Sequence, residues 1–370
     1  MFNIFGTKSY LGVDIGTTSI KVVEIIKTST KPKLKTYGFL ESYGHLERLN
    51  DALQTSSLKI MDQEAAKFLK ILIKQLKCKS RDVVASIPAF SAFITLLEIP
   101  EMPVSEIMET MKYQVRQYIP LPTSEVTIDW LPVGKRQDEK GVNKQQVILI
   151  SVPNEQIRKY QNIFKLAGLN LRALEVESLA LVRALIANDP TPTAIVDIGA
   201  RSTNIAIIDK GYLRHNSQTD FSGGSLTQAI ASGLNINIRR AEELKKQKGI
   251  IGVGGDYELS TLTIPFLDAI ITEVKRAKDN YEKNSGSKID GSTSLTINPE
   301  QSRRIERVIL TGGGANLLGI DTYFEKQIGL TTVIGDPFSQ VDYSPEIKPI
   351  IKELGPPFAV SIGLGIREFV

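Results

Sequence analysis

The chain carries the same motif twice. Val13-Asp14-Ile15-Gly16-Thr17-Thr18-Ser19 returns as Val196-Asp197-Ile198-Gly199-Ala200-Arg201-Ser202, with Val, Asp, Ile, Gly and Ser in the same register 183 positions later. Each copy runs on into a second apolar stretch, Ile20 to Ile26 and Asn204 to Ile208. The pattern reads as a β-hairpin with Asp-x-Gly at its tip, used once in each half. So long a period excludes a solenoid and implies two duplicated domains. The 370 residues suffice for both, because single cores stop growing near ~250–300 residues.

Strands and helices alternate after each hairpin. Asp62 can cap a helix to about Lys77, with Ala65, Ala66, Leu69, Leu72, Ile73 and Leu76 on one face. Val83 to Ile87 reads as a buried strand ended by Pro88. Asn154 to Ala167 is a helix stopped by Gly168, Leu169 to Leu174 a strand, and Ser178 to Ala187 a helix. The second half repeats the alternation with helices at Ser225 to Ser232 and Arg239 to Lys248, then a strand at Arg307 to Thr311 before three glycines. This is an α/β pattern. Two stretches depart from it. Residues 89 to 150 form an insertion with its own helix, Glu106 to Gln117, capped by Ser105; 284 to 302 is a polar loop rich in Ser, Gly, Lys and Asp.

Composition removes several function classes. Two histidines, His45 and His215, leave little for a zinc site or a histidine-based hydrolase, and both read as surface or turn residues. Cys78 is the single cysteine, which excludes an internal disulfide, fits a reducing compartment and reads as packing. No apolar run reaches ~18 residues, and Met1 to Gly6 lacks the features of a signal peptide. With 45 cations against 41 anions, the net charge of +4 names no partner by itself.

The paired hairpins suit a nucleoside triphosphate with magnesium. Glycines at a tight turn let backbone N–H groups approach phosphates, and carboxylates hold the metal through retained waters. Gly16, Thr17, Thr18 and Ser19 would clasp the phosphates from one side, and Gly199, Ser202 and Thr203 from the other. Asp14 and Asp197 would face the metal, with Lys21 as a point charge on a phosphate oxygen. Alone, each Asp-x-Gly is an ordinary turn; the registered pair carries the functional reading. Gly312-Gly313-Gly314, between a strand and a helix near Asn316, adds a third place where backbone can approach a ligand.

These residues resemble a known superfamily. Leu11 to Lys21 is similar to the first phosphate motif of actin, sugar kinases, DnaK-type chaperones, MreB and FtsA. Ile195 to Gly199 is similar to its second phosphate motif, and Ile309 to Ala315 to its adenosine motif. Glu175 to Ile186 and Pro356 to Glu368 look like the two connecting helices, and Ala241 to Lys245 like the helix that presents Glu242 and Lys245 to adenosine. Glu98-Ile99-Pro100-Glu101-Met102-Pro103, Gln117-Tyr118-Ile119-Pro120-Leu121-Pro122 and Gly355 to Gly365 resemble the PilM family of type IV pilus assembly proteins.

The resemblance implies an actin-like, ribonuclease-H-like duplicated ATPase fold, with two lobes around a central nucleotide cleft and an inserted small α+β subdomain. It divides the chain into a first-lobe core at 1–88 with 168–190 and 340–370, the inserted subdomain at 89–167, a second-lobe core at 191–235 with 303–339, and an outer subdomain at 236–302. ATP and Mg2+ become the expected cofactors, with Gly223 and Gly224 beside the second phosphate motif. The expected partner is the cytoplasmic N-terminal tail of PilN, docking between the insertion and the first-lobe core near Tyr118, Ile119, Pro120 and Trp130. These four serve equally well as the insertion's own core. PilB-type motor contact and a homodimer are further expectations. Location at the inner face of the inner membrane would come only indirectly, through PilN, and no nucleic acid is involved. Glu177 stands where active relatives position the attacking water, and serves equally well as a helix N-terminal charge. Slow or absent hydrolysis is expected. Two alternatives stay open: an FtsA-like filament-forming ATPase, and a small-molecule or sugar kinase with Asp220 as its base.

Overall fold

The computed structural model describes residues 8–41, 61–103, 106–107, 111, 115–119, 121–137, 141–250, 253–254, 257–286 and 304–369. The first lobe opens with β1 (Ser9–Ile15), β2 (Ser19–Ile26), β3 (Lys33–Glu41), α1 (Asp62–Gln75) and β4 (Asp82–Ile87). An inserted sheet follows, of β5 (Phe93–Pro100), β6 (Val126–Gln137) and β7 (Asn143–Pro153). Then come α2 (Asn154–Ala167), β8 (Asn170–Val176) and α3 (Glu177–Leu185). The second lobe is built from β9 (Thr193–Ile198), β10 (Thr203–Asp209), β11 (Tyr212–Thr219), α4 (Gly223–Leu234), α5 (Ile238–Lys248), β12 (Val253–Gly254), β13 (Tyr257–Glu258), α6 (Leu259–Gly286), β14 (Arg307–Thr311), α7 (Ile320–Ile328) and β15 (Thr331–Ile334). Helix α8 (Ile351–Ile366) follows, and a 3-10 turn at Arg367–Phe369 ends the described chain.

The repeat seen in seven residues extends to the whole lobe. The two large sheets have orders β3-β2-β1-β4-β8 and β11-β10-β9-β14-β15. In each, the first two pairings are antiparallel and the last two parallel. The hairpin registers also agree: Asp14 lies opposite Lys21 and Asp197 opposite Asn204. This is the actin-like α/β architecture.

Helices cover the sheets in matching fashion. On the first lobe α1 and α2 bury Leu69, Leu72, Tyr160, Ile163 and Phe164 against Leu11, Val13 and Ile15. Gly168 ends α2 at φ 72°, a left-handed stop that glycine adopts without strain. On the second lobe α6 and α7 bury Leu267, Ile270, Val274 and Phe324 against Val196, Ile198 and Val308. Between the lobes α3 lies on α8 at very short range. A Cβ on Gly363 would stand 2.0 Å from the Ala180 carbonyl oxygen, and one on Gly12 would stand 2.0 Å from that of Ser361.

Helix α8 contains Pro356 and Pro357, which supply no N–H to the carbonyls one turn earlier. Asn316 donates instead to the Glu353 carbonyl at 2.7 Å. The Pro356 carbonyl accepts from the Gly312 N–H at 3.1 Å and from the Thr311 hydroxyl at 3.1 Å. The start of α8 therefore leans on the second lobe, while Phe358, Ile362 and Ile366 pack against Val23, Ile25 and Leu34 of the first.

Packing shifts two expected boundaries. Helix α2 belongs to the first-lobe core, so the insertion closes at Pro153 rather than at 167. From Leu267 onward α6 lies in the second-lobe core rather than in an outer subdomain running to 302. The outer layer there is α4, α5 and the start of α6, meeting at Ile230, Ala241 and Leu259. His215 sits half-buried within β11, where burial lowers its imidazole pKa. Of the helix expected at 106–117, residues 106, 107 and 111 are helical and Val115–Gln117 form a 3-10 turn. Ser105, Pro120, His45, 1–7 and the polar stretch from 287 to 303 lie outside the described residues.

Cys78 is 8% exposed, and burial, together with the Glu24 charge, pushes its thiol up to about 11. The native protein is therefore expected to resist iodoacetamide at pH 8 for hours, because the thiolate is the nucleophile. Modification within minutes would show that this loop opens readily.

Candidate functional site: the cleft between the lobes

The two hairpin tips are built alike. The Gly16 N–H donates to the Ser19 carbonyl at 2.9 Å, and the Gly199 N–H to the Ser202 carbonyl at 3.0 Å. Thr17 and Thr18 occupy the first tip. Asp14, 5% exposed, accepts from Lys21 Nζ at 2.9 Å and from the Ser86 hydroxyl at 2.8 Å. Lys21 thus already holds a carboxylate. Burial pulls its ammonium down, but Asp14, then Asp197 and Glu177, carry it above its ordinary value. Glu177 opens α3 and accepts from the Ala89 N–H at 3.2 Å. Burial, then the Asp14 and Asp197 charges, raise its carboxyl well above the usual range. Burial and Asp14 push Asp197 up to about 6, with Lys21 opposing. Three carboxyl groups from two lobes therefore share one ammonium. Such a site favours an added cation. Among the described residues no three ligating side chains gather closely enough to hold a metal directly.

The second tip is braced from behind. Gly223 and Gly224 donate their N–H groups to the Gly199 and Ala200 carbonyls at 2.9 and 3.0 Å, and the Ser222 hydroxyl reaches Ala200 at 3.0 Å. The Thr203 hydroxyl is spent on the Phe221 carbonyl at 2.7 Å. These groups shape the loop. Lys245, 8% exposed, donates to the Gly223 carbonyl at 2.9 Å and to Thr227 at 2.7 Å, and pairs with Glu242 at 2.7 Å. Burial lowers the Lys245 pKa, while Glu242, despite its own burial, is held below the usual range by Lys245 and Thr227. The short contact favours both charges: Glu242 opposes the burial that lowers Lys245, and Lys245 outweighs the burial of Glu242. It fastens α5 to the first turn of α4, with Glu242 on the pair's more exposed side.

The glycine turn is brought to the second hairpin. Gly312 has φ 79°, and a Cβ there would stand 2.3 Å from Asp197 Oδ1 and 2.6 Å from the Ile198 carbonyl. Gly314 has the same kind of proximity to the Ile198 side chain, whereas Gly313 meets nothing within 4 Å. Asn316 faces α8 through the bond to Glu353. Across the cleft the Arg201 guanidinium lies 4.3 Å over the Phe90 ring. Burial lowers the Arg201 pKa and the Asp220 carboxylate opposes this, so Asp220 acts on a second-lobe arginine.

A second concavity lies where the insertion meets both lobes. The inserted sheet has order β5-β7-β6 and two apolar faces. Val126, Ile128, Trp130, Val147 and Leu149 face Ile107, Met111 and Ile119, a small core of their own. Leu131, Val133 and Ile148 face the other way, into a groove of about 650 Å³ shared with Leu179, Val182 and Tyr212. Ile119 and Trp130 thus serve the insertion's core, Tyr118 is 46% exposed, and Pro120 is outside the described residues. The alternation along β6 places Leu131 and Val133 on the groove side. Ser86, Ala89 and Phe90 escape sequence reading because a strand from elsewhere brings them to Asp14, Glu177 and Arg201.

The model of the family described as type IV pilus assembly protein PilM matches residues 12–369. The chain belongs to the PilM family. The FtsA cell division protein of Buchnera aphidicola is 24% identical over 376 residues, covering 91% of this chain and 86% of that one. A solved PilM–PilN type IV pilus biogenesis complex is similar with a TM-score of 0.78 at 23% identity, covering 98% of both chains. MreB5 of Spiroplasma citri bound to ADP is similar with a TM-score of 0.52 at 15% identity, covering 98% of this chain and 97% of that one. The actin-like fold expected for a PilM-family chain is therefore present. No helix among the described residues is long and apolar enough to cross a membrane.

Proposed function

We propose that this PilM-family chain is an ATP-binding scaffold that docks the cytoplasmic tail of PilN and links it to the pilus motor. The observation that carries the nucleotide reading is the shared cleft charge: Asp14, Glu177 and Asp197 gathered around the Lys21 ammonium. Gly16 to Ser19 and Gly199 to Thr203 would hold the phosphates. Gly312 to Gly314, with Glu242, would border the adenosine, and Lys245, Gly223 and Gly224 would keep the second loop in shape. Asp14 and Asp197 would hold Mg2+ through water, and the metal would neutralise phosphate charge. The ADP-bound MreB5 structure supports this by likeness of fold. Glu177 would orient water, with its carboxyl raised by burial and by the Asp14 and Asp197 charges. Hydrolysis slower than roughly 1 s⁻¹ is expected in a phosphate-release assay, and faster turnover would make the chain an efficient ATPase.

The groove at Leu131, Val133, Leu179 and Tyr212 suits an extended peptide, which draws affinity from apolar pockets and main-chain hydrogen bonds. The similar PilM–PilN complex supports PilN as its source. Leu131→Asp is expected to weaken a synthetic PilN tail at least ~10-fold in calorimetry, while the Mg-ATP thermal shift stays as in wild type. Equal tail binding by the variant would remove the groove from this reading. The FtsA likeness favours filament formation as the competing reading, and ATP-dependent sedimentation of the purified chain without PilN would support it.

A further inference from the structure

Sheet topology gathers cations at one end of the first lobe. Strands β1, β4 and β8 are parallel, and β2 and β3 alternate beside them. The start of β1, the end of β2, and the starts of β3, β4 and β8 therefore share one edge. Each of these five strand ends carries a lysine or arginine. Lys8 precedes β1, Lys27 follows β2, Lys35 lies near the start of β3, Lys79 and Arg81 precede β4, and Arg172 lies near the start of β8. All six are exposed. The nine residues from Lys27 to Lys35 hold four lysines and no acid.

Among the described residues little carboxylate answers this charge. Lys35 pairs with the fully buried Glu24 at 2.9 Å, and Arg172 with Asp82 at 2.9 Å. Glu24 also accepts from the backbone N–H groups of Lys79 and Ser80 at 3.3 and 3.0 Å, which pins the β4 approach to β2. Among the described residues no carboxylate lies within ion-pair distance of Lys8, Lys27, Lys79 or Arg81. The opposite edge of the same sheet carries Asp14 and Glu177. The chain's near-neutral total thus conceals a lobe that is acidic at the cleft and basic at the far end.

From this arrangement we infer that the basic end of the first lobe is a docking surface for the headgroups of an anionic phospholipid bilayer. Several exposed cations rooted along one end of a sheet suit a planar array of like-charged headgroups. Each adds a modest attraction that falls off within a Debye length, so binding is additive and salt-sensitive. The surface is strand ends and short loops with small polar residues between the cations, which fits contact with headgroups rather than insertion. The inference stands apart from the nucleotide and PilN readings, since none of these residues lines the cleft or the groove.

The test is flotation of the full chain, without PilN or nucleotide, on vesicles of phosphatidylcholine alone or with about a third phosphatidylglycerol. Binding to the mixed vesicles in ~50 mM salt, its absence on the neutral ones, and its loss above ~300 mM salt are expected. The K27E/K79E/R81E variant should partition at least ~10-fold less, whereas K67E/K70E/K326E, with the same charge change elsewhere, should bind as wild type. An unaltered melting curve shows that each variant folds. Equal loss in both variants would mean that only net charge matters, and equal binding to neutral vesicles would remove the electrostatic basis. Either result overturns the inference. So does tighter binding of duplex DNA than of anionic vesicles at the same salt, which would assign the edge to nucleic acid.

Discussion

Gly363→Ala is expected to lower the melting temperature by roughly 4–5 °C, or to leave the protein insoluble. A Cβ at this position would stand 2.0 Å from the Ala180 carbonyl oxygen and 2.6 Å from its carbon. Those atoms are backbone of α3, which cannot rotate aside as a side chain would. Relief requires the two connecting helices to separate, and both are pinned. Gly12 holds the other side of α8, with a hypothetical Cβ 2.0 Å from the Ser361 carbonyl oxygen. Ala180, Ser361 and Gly363 are buried. Overpacking of this kind costs about 3 kcal/mol or somewhat more. Gly12→Ala should behave alike. Gly313→Ala is the control, because a methyl there meets no atom within 4 Å. A Gly363→Ala protein that melts within ~1 °C of wild type would show that α3 and α8 are not in such close contact.

Asp197→Asn should move stability and nucleotide binding in opposite directions. Burial and the Asp14 charge raise the folded carboxyl from 3.8 to about 6. Between those values the folded chain retains a proton that the unfolded chain has released. Stability therefore falls as pH rises from about 4 to 6, and the full penalty persists above 6. The difference of about 2.2 (6 minus 3.8) corresponds to at most about 3 kcal/mol, since the side chain is partly exposed in the cleft. Asparagine removes the charge and with it the penalty. The variant should melt several degrees higher than wild type at pH 7.5 and close to it at pH 4.5. Its affinity for Mg-ATP should drop at least ~100-fold, because one of the two carboxylates proposed to hold the metal is gone. For wild type, Mg-ATP should raise the melting temperature more at pH 7.5 than at pH 5.5, as metal competes with the proton below about 6. A destabilised Asn variant at pH 7.5, or one that binds Mg-ATP normally, contradicts this account of the site.

What the sequence discloses here is what repeats or punctuates. The twin Asp-x-Gly tips are legible because a hairpin is local: Asp14 and Lys21, or Asp197 and Asn204, meet across seven residues. The stop at Gly168 and the glycine turn at Gly312 are legible for the same reason. The domain boundaries are not. Periodicity identifies α2 as a helix with an apolar face, but cannot say whether Tyr160 and Phe164 will meet the inserted sheet or β1. Ile119 and Trp130 lie in the insertion's core, as large apolar residues fill small cores as readily as they line open sites. Trp130 and Leu131 are neighbours in the chain and point to opposite faces of one strand. Lys245 shows a further limit. Its spacing from Glu242 is plain, yet only the fold reveals that its ammonium is consumed by Gly223, Thr227 and that same glutamate.

Helix α8 is gripped by a different lobe at each end, so any change in the angle between the lobes must be taken up along its length. The rod is softest at Pro356–Pro357, where two internal bonds are missing. Torsion will concentrate at that dipeptide, whose first carbonyl is tethered to Gly312 and Thr311. That dipeptide and the glycine turn are thus mechanically one joint, and a ligand that stiffens the turn would resist any such change without touching either sheet.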